Sequence, residues 1–166
     1  VGYSVSWAPG TGVYVPTTAV GDGMAGILGS PLWKKICHNA KFEYKVLAKQ
    51  GIELVNFEDT KVAAYLLGAL LTGLKTLATQ MLGIRPVTYE EITDGGKKKM
   101  SEIDAEAVMP YATADADNTL RLWSVLRKRL LAEELVSVYE QIEKPLIPVL
   151  ARMEAAGIGV DVERCK

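Results

Sequence analysis

Histidine and cysteine are scarce in this chain: one His and two Cys among 166 residues. Cys37 and Cys165 stand far apart and do not make the disulfide framework of a small secreted scaffold. A zinc site needs three or four ligands at paired spacing, and Cys37-His38 supplies one pair at most. A Ser-His-Asp or Cys-His mechanism would rest on His38 alone, which reads more readily as a strand-end structural hydrogen bond. Charge of one sign is also missing: 19 Lys plus Arg against 20 Asp plus Glu leave a net charge of −1. No overall basic field is therefore available to grip nucleic acid. Long apolar runs are absent too; Val62 to Leu71 is too short to cross a membrane and has polar residues and Gly at its flanks. The sequence opens on Val1 without a charged-then-apolar signal segment. It reads as a cytoplasmic piece of something longer.

Hydrophobic residues make up 49% and charged residues 23%, the balance of an ordinary globular chain. A chain of this size can bury a core without staples, as one domain or one domain with an appendage. Alternation of Val1, Tyr3, Val5 and Trp7 with small residues predicts a strand, and Ala8-Pro9-Gly10-Thr11-Gly12 a turn. Val13-Tyr14-Val15 is the return strand, stopped by Pro16. The Gly-rich region from Thr17 to Pro31 has room for a short helix around Met24 to Leu28. A short strand is expected within Trp33 to Cys37, and a helix over Ala40 to Gln50, stopped by Gly51 and capped by Asn39. Ile52 to Val55 predicts another strand. Asp59 or Thr60 can cap a helix to about Leu67. A further helix spans about Leu74 to Leu82, and Pro86 to Met100 reads as loop. From Ser101 to Gly157 the chain is mostly helical, with Pro110, Pro145 and Pro148 starting, kinking or dividing helices. Ile158 to Val162 has a short strand signal. Strands early and helices late suit an α/β or α+β domain.

Several motifs carry candidate chemistry. Gly21-Asp22-Gly23-Met24-Ala25-Gly26 matches a dinucleotide fingerprint formally. The strand and long helix that would present a pyrophosphate are missing around it, so a surface loop is the better reading. Lys97-Lys98-Lys99 reads as a solvated loop, and Arg121, Arg127, Lys128 and Arg129 as the wet face of a helix. Tyr111 and Asp115 lie one helical turn apart and point the same way. Asp117 faces elsewhere and suits an ion pair with Arg121. The alanines around Asp115 keep that face slim enough for close approach. By itself the segment reads as an amphipathic helix with a polar patch, although a Tyr and an Asp so placed can also hold a metal and aim a water. Glu43, one turn inside the helix after Asn39, is either a solvated acid or a ligand over the sheet end.

The order of these segments resembles the 3′–5′ proofreading exonuclease domain of family A DNA polymerases, a member of the DEDD superfamily on a ribonuclease H-like fold. His38-Asn39-Ala40-Lys41-Phe42-Glu43 is similar to the family's second motif, and Phe57-Glu58-Asp59-Thr60 with Ala64-Tyr65-Leu66-Leu67 to the segment after it. Tyr111-x-x-x-Asp115-Ala116-Asp117 is similar to the third motif in its Tyr variant. Residues 143–150, with Met153-Glu154 and Gly157 to Asp161, resemble the junction into the polymerase region. The resemblance implies an α/β fold: a ribonuclease H-like mixed sheet flanked by helices, with a helical C-terminal part. It implies Asp115 and Glu43 as metal ligands, Tyr111 as the residue that orients the attacking water, and Asn39 beside the single-stranded 3′ end of DNA. Mg²⁺ or Mn²⁺ would serve as cofactor in a two-metal hydrolysis of the terminal phosphodiester, with ions roughly 4 Å apart, expected only when the full site is present. The remaining partner implied is the polymerase region of the same protein. Residues 1–140 would form the exonuclease-like domain, incomplete at its N-terminus, and 141–166 the start of the polymerase region.

Three departures accompany this resemblance. No Asp-x-Glu precedes Tyr3, so the family's opening motif and its central first strand are lacking. That loss would leave backbone groups unpaired on the neighbouring strands and make the isolated chain inactive. Glu43 stands where the family has Asp, which moves the carboxylate by roughly 1 Å. The Leu71-Thr72-Gly73-Leu74 region lacks the basic or polar residues that the family often uses there for the DNA end. A structural domain that has lost catalysis is the alternative expectation, and a nucleotide-binding module on Gly21 to Gly26 a third.

Overall fold

A computed structural model describes residues 2–17 and 22–165. The first four-residue strand, β1 (Gly2–Val5), turns back through the Pro-Gly segment into β2 (Val13–Pro16). The pair is antiparallel, with Tyr3 opposite Val15 and Val5 opposite Val13. A short α1 (Asp22–Leu28) leads to β3 (Lys35–Cys37), then α2 (Ala40–Ala48), β4 (Phe57–Asp59) and α3 (Thr60–Leu66). β3 and β4 pair in parallel, Cys37 opposite Asp59. Among the described residues the strands thus form two separate two-stranded sheets rather than one.

α4 (Leu74–Leu77) runs on as a π-helical turn over Ala78–Leu82, where Gly83 stops it with a positive φ of 68°. α5 (Tyr89–Ile92) follows, then α6 (Ala105–Ala132), α7 (Val136–Val138), a π turn over Tyr139–Glu143, and α8 (Lys144–Ala156). α6 is the spine. Its buried stripe of Thr119, Leu122, Trp123, Leu126 and Leu130 repeats at three and four residues, the helical period. That stripe packs with Ala63, Ala64, Leu77 and Tyr139 into the main core. A second cluster joins Ala40, Leu47, Leu54 and Ile147, where α2 meets α8.

Both sheets lean on α6. The hairpin turn reaches it so closely that a Cβ on Gly12 would lie 2.7 Å from Thr113 Cβ, so glycine is needed there. The Gly10 N–H donates to Asp117 Oδ1 at 2.9 Å, and Arg121 Nε donates to Asp117 Oδ2 at 2.9 Å, the expected ion pair. Asp117→Ala is expected to cost about 1 kcal/mol and to speed hydrogen exchange at the Gly10 amide. Unchanged Gly10 exchange would mean that Asp117 does not anchor the turn.

Several expectations are corrected. Ile52 to Val55 is not a strand. The Ile52 N–H closes back on Leu47 O, Asn56 turns left-handed (φ 48°), and the strand forms at Phe57–Asp59 instead. The apolar alternation there reports burial of Leu54 in the second cluster, not sheet pairing. Asn39 does not cap α2 with its side chain; its φ is 79°, left-handed, and the acceptor is Asp59. Within the expected Pro86 to Met100 loop lies α5, with a capping box between Thr88 and Glu91. Ile158 to Val162 forms no strand; Ile158 is 93% exposed. Pro110 lies inside α6 without ending it, and Pro145 starts α8. The fingerprint's Gly21 lies outside the described residues, and α1 behind it is seven residues long.

Candidate active site

The slim face of α6 presents Tyr111 and Asp115 one turn apart, as the spacing predicted. Across from them, α4 supplies Lys75. Its ammonium forms an ion pair with Asp115 Oδ1 and lies 4.1 Å from the centre of the Tyr111 ring. Both charged side chains of this pair are about three-quarters buried. Burial raises the Asp115 carboxyl above its ordinary value, opposed by the Lys75 ammonium and by the Tyr111 hydroxyl. Burial and the Asp115 charge push Tyr111 up to about 12. Tyr111 therefore stays protonated at neutral pH and can orient a water without acting as a base.

Glu43 occupies different surroundings. It sits on α2, where burial, with the charge of Asp59 adding to it, pushes its carboxyl up to about 7. Its Oε2 is buried and has no hydrogen-bond partner. Glu43 is raised by burial and by the charge of Asp59, whereas Asp115 is raised by burial against the opposing Lys75 ammonium and Tyr111 hydroxyl. Asn39 stands at the mouth of α2, its N–H donating to Asp59 Oδ1 at 3.2 Å.

His38 has the structural role that its solitude suggested. Thr60 Oγ1 lies 3.0 Å from Cys37 O and 2.8 Å from His38 Nδ1, so its hydroxyl bridges the strand end and the imidazole ring. Burial lowers the His38 imidazole, which favours the neutral ring. Arg127, Lys128 and Arg129 are exposed on α6, as expected of a solvated face.

Asp115 and Glu43 are oxygen donors of the kind Mg²⁺ prefers, and the orphaned Glu43 Oε2 has the free valence of a ligand. Yet no group of three His, Cys, Asp or Glu side chains able to hold a metal exists among the described residues. The donors present do not make a metal centre on their own.

Two residues of consequence escaped the sequence reading. Lys75 follows directly on the Leu71 to Leu74 segment that lacks basic groups; a single Lys in an apolar and hydroxyl-bearing helix was the available signal. Asp59 was legible as a cap for α3, but not as a cap for α2 as well.

A family model described as 3′–5′ exonuclease, of the family A DNA polymerase type, matches residues 1–131. DNA polymerase I of Rhizobium leguminosarum is 44% identical over 76% of this chain, and that of Chloroflexus aurantiacus 40% over 98%. The chain spans 13% and 19% of the length of those two relatives. Among solved structures, a Pol1 POL-domain complex from M. smegmatis with DNA primer-template and dNTP is 28% identical, with a TM-score of 0.75, over 93% of this chain and 25% of that one. Brucella melitensis NrnC, in a structure with bound Mg²⁺, shares the fold at a TM-score of 0.67 and 23% identity, over 81% of this chain and 64% of its own. The fold is that of the ribonuclease H-like exonucleases, and the chain belongs to the 3′–5′ exonuclease family of family A DNA polymerases.

Proposed function

We propose that this chain contributes 3′–5′ proofreading to a DNA polymerase I-type protein, hydrolysing the terminal phosphodiester at a single-stranded 3′ end. The observation that carries the reading is the Tyr111–Asp115 pair, one turn apart on α6 in the family's third-motif spacing, closed by Lys75. Tyr111, protonated across the neutral range, orients the attacking water. Asp115 supplies the carboxylate nearest the reaction, and the Lys75 ammonium adds positive charge toward the phosphate. Water oxygen bonds to the terminal phosphorus, the bond to the preceding 3′ oxygen breaks, and a nucleoside monophosphate leaves. Glu43 serves as the second-motif carboxylate and Asn39 lies along the strand end.

Mg²⁺ or Mn²⁺ belongs to this reading only where further oxygen donors join Asp115 and Glu43. The chain by itself is therefore inactive in our reading. We divide it at 140/141, with the exonuclease-like unit before and the polymerase region beginning after. A cytoplasmic setting goes with the reading; no helix among the described residues is long and apolar enough to cross a membrane.

The test is a 5′-labelled single-stranded oligonucleotide with Mg²⁺ or Mn²⁺. In the polymerase-length protein, Asp115→Ala is expected to lower 3′ shortening by at least about 10²-fold. The chain alone is expected to give no shortening. Equal shortening by the long protein and its Asp115→Ala variant would remove the proposal. A long protein that never shortens the strand would favour the second reading, a structural domain without catalysis, which the lack of a three-acid group supports.

A further inference from the structure

The second-motif helix is held from the far end of the chain. α2 starts just after Asn39, and its side chains Lys41 and Lys45 lie one turn apart. Glu154, near the end of α8, accepts from Lys41 Nζ at 2.5 Å with one carboxylate oxygen and from Lys45 Nζ at 2.8 Å with the other. Hydrogen bonds from Lys41 and Lys45 draw the Glu154 carboxyl down to about 2, so it stays ionised across the neutral range. Earlier on α8, Ile147 is buried with Ala40 and Leu47 of α2. Where α8 starts, Lys144 Nζ reaches the buried Glu58 at 3.3 Å, beside Asp59 on β4. Asp59 in turn holds the N–H groups of Asn39 and Ala40. α8 therefore braces both α2 and the strand that anchors it, although the family match ends at residue 131.

We propose that Glu154 is a positioning residue for the second motif: by bridging Lys41 and Lys45 it fixes the roll of α2, and with it the direction in which Asn39 meets the 3′ strand end. This deepens the reading of Asn39 and Glu43 as parts of the exonuclease site and rests on it. The apolar contact through Ile147 keeps the two helices together but does not choose their register, because hydrophobic attraction is non-directional. A carboxylate gripped by two ammoniums one turn apart does choose it, because charge-assisted hydrogen bonds have a preferred geometry. Exposed ion pairs add little to stability. The effect of Glu154 is therefore expected in the orientation of α2 and not in the melting of the fold. In our division α8 also lies at the head of the polymerase region, so a shift of α8 would reach Asn39 through Glu154.

The first measurement reads orientation in the full chain and needs no nuclease activity. In Glu154→Gln the backbone amide signals of Asn39 and Ala40 are expected to shift and their hydrogen exchange to speed about threefold to tenfold. The amides of Leu122 and Leu126 on α6 are expected to keep the parent's rates, and the urea midpoint to stay put. Lys41→Met with Lys45→Met is expected to reproduce these changes, and adding Glu154→Gln to that pair to change nothing further, as one shared contact requires. Parent-like Asn39 and Ala40 amides in Glu154→Gln would overturn the proposal. So would additive effects in the triple variant, or a lowered urea midpoint with no shift at Asn39. The second measurement is 3′ shortening by the polymerase-length protein, where Glu154→Gln is expected to lower kcat/KM about threefold to tenfold. A parent-like kcat/KM in an active long protein would also overturn it. A long protein that never shortens the strand removes the exonuclease reading instead, and the amide measurement then decides the role of Glu154 alone.

Discussion

Asp59→Ala is expected to cost about 3–5 kcal/mol, enough to threaten the fold of a domain whose total stability is of the order of 5–15 kcal/mol. Asp59 ends β4 and is 2% exposed. Its Oδ1 accepts from Asn39 N at 3.2 Å, Lys61 N at 2.8 Å and Val62 N at 3.2 Å, and its Oδ2 from Ala40 N at 2.7 Å. One carboxylate therefore caps two helices, α2 and α3, whose positive ends converge on it. Its own N–H donates to the Tyr139 hydroxyl at 2.8 Å, which ties the strand end to the main core. Alanine removes both caps at about 1 kcal/mol each and leaves buried donors unsatisfied at about 1–3 kcal/mol each, partly recovered by water. Asn39 would also lose the bond that holds it left-handed. Asp59→Asn keeps one acceptor oxygen and is expected to cost about half as much. Urea unfolding followed by the fluorescence of the buried Trp123 measures both. A loss below about 1 kcal/mol for Asp59→Ala would mean that the two helices do not depend on this carboxylate.

Glu43→Gln is expected to stabilise the protein at mildly alkaline pH and to leave it unchanged in acid. Burial raises the Glu43 carboxyl from 4.5 to about 7, so the folded state prefers its protonated form. A raised acid contributes stability that is fully present below the unfolded value and lost as pH rises through the folded one. The window is therefore 4.5 to about 7. Across it, at about 1.4 kcal/mol per pH unit, ionising Glu43 costs about 3 kcal/mol. Glutamine has nearly the same shape and never ionises. Near pH 8 the variant is expected to be more stable than the parent by about 2–3 kcal/mol, and near pH 4 equal to it. Chemical unfolding at the two pH values decides it. A difference that is the same at both would show that the buried, unpartnered Oε2 is not the cause.

The helical half of the fold was readable because its signals are local. The three-and-four spacing of Leu122, Trp123, Leu126 and Leu130 gave α6 its buried stripe, and Asp59 before Thr60 gave α3 its cap. The hairpin was readable from alternation and its Pro-Gly turn. The Tyr111–Asp115 pair and the Asp117–Arg121 bridge follow from one helical turn, which sequence spacing dictates.

What lay beyond the sequence depends on partners distant along the chain. Ile52 to Val55 looked like the strand of this segment, yet it is Phe57–Asp59 that meets β3, because backbone pairing is set by the facing strand and not by side-chain pattern. Asn39 looked like a cap, but a carboxylate from another strand reached the same N–H groups first. Lys75 and Asp115 are 40 residues apart, and nothing in either segment announces the other. The sequence by itself determined the longer helices, the hairpin and the third-motif pair, because each is decided within a few residues. Only the tertiary structure decided which charge Asp115 holds, which helices Asp59 caps and that Glu43 Oε2 is buried without a hydrogen-bond partner, because charges and donors pair by distance in space.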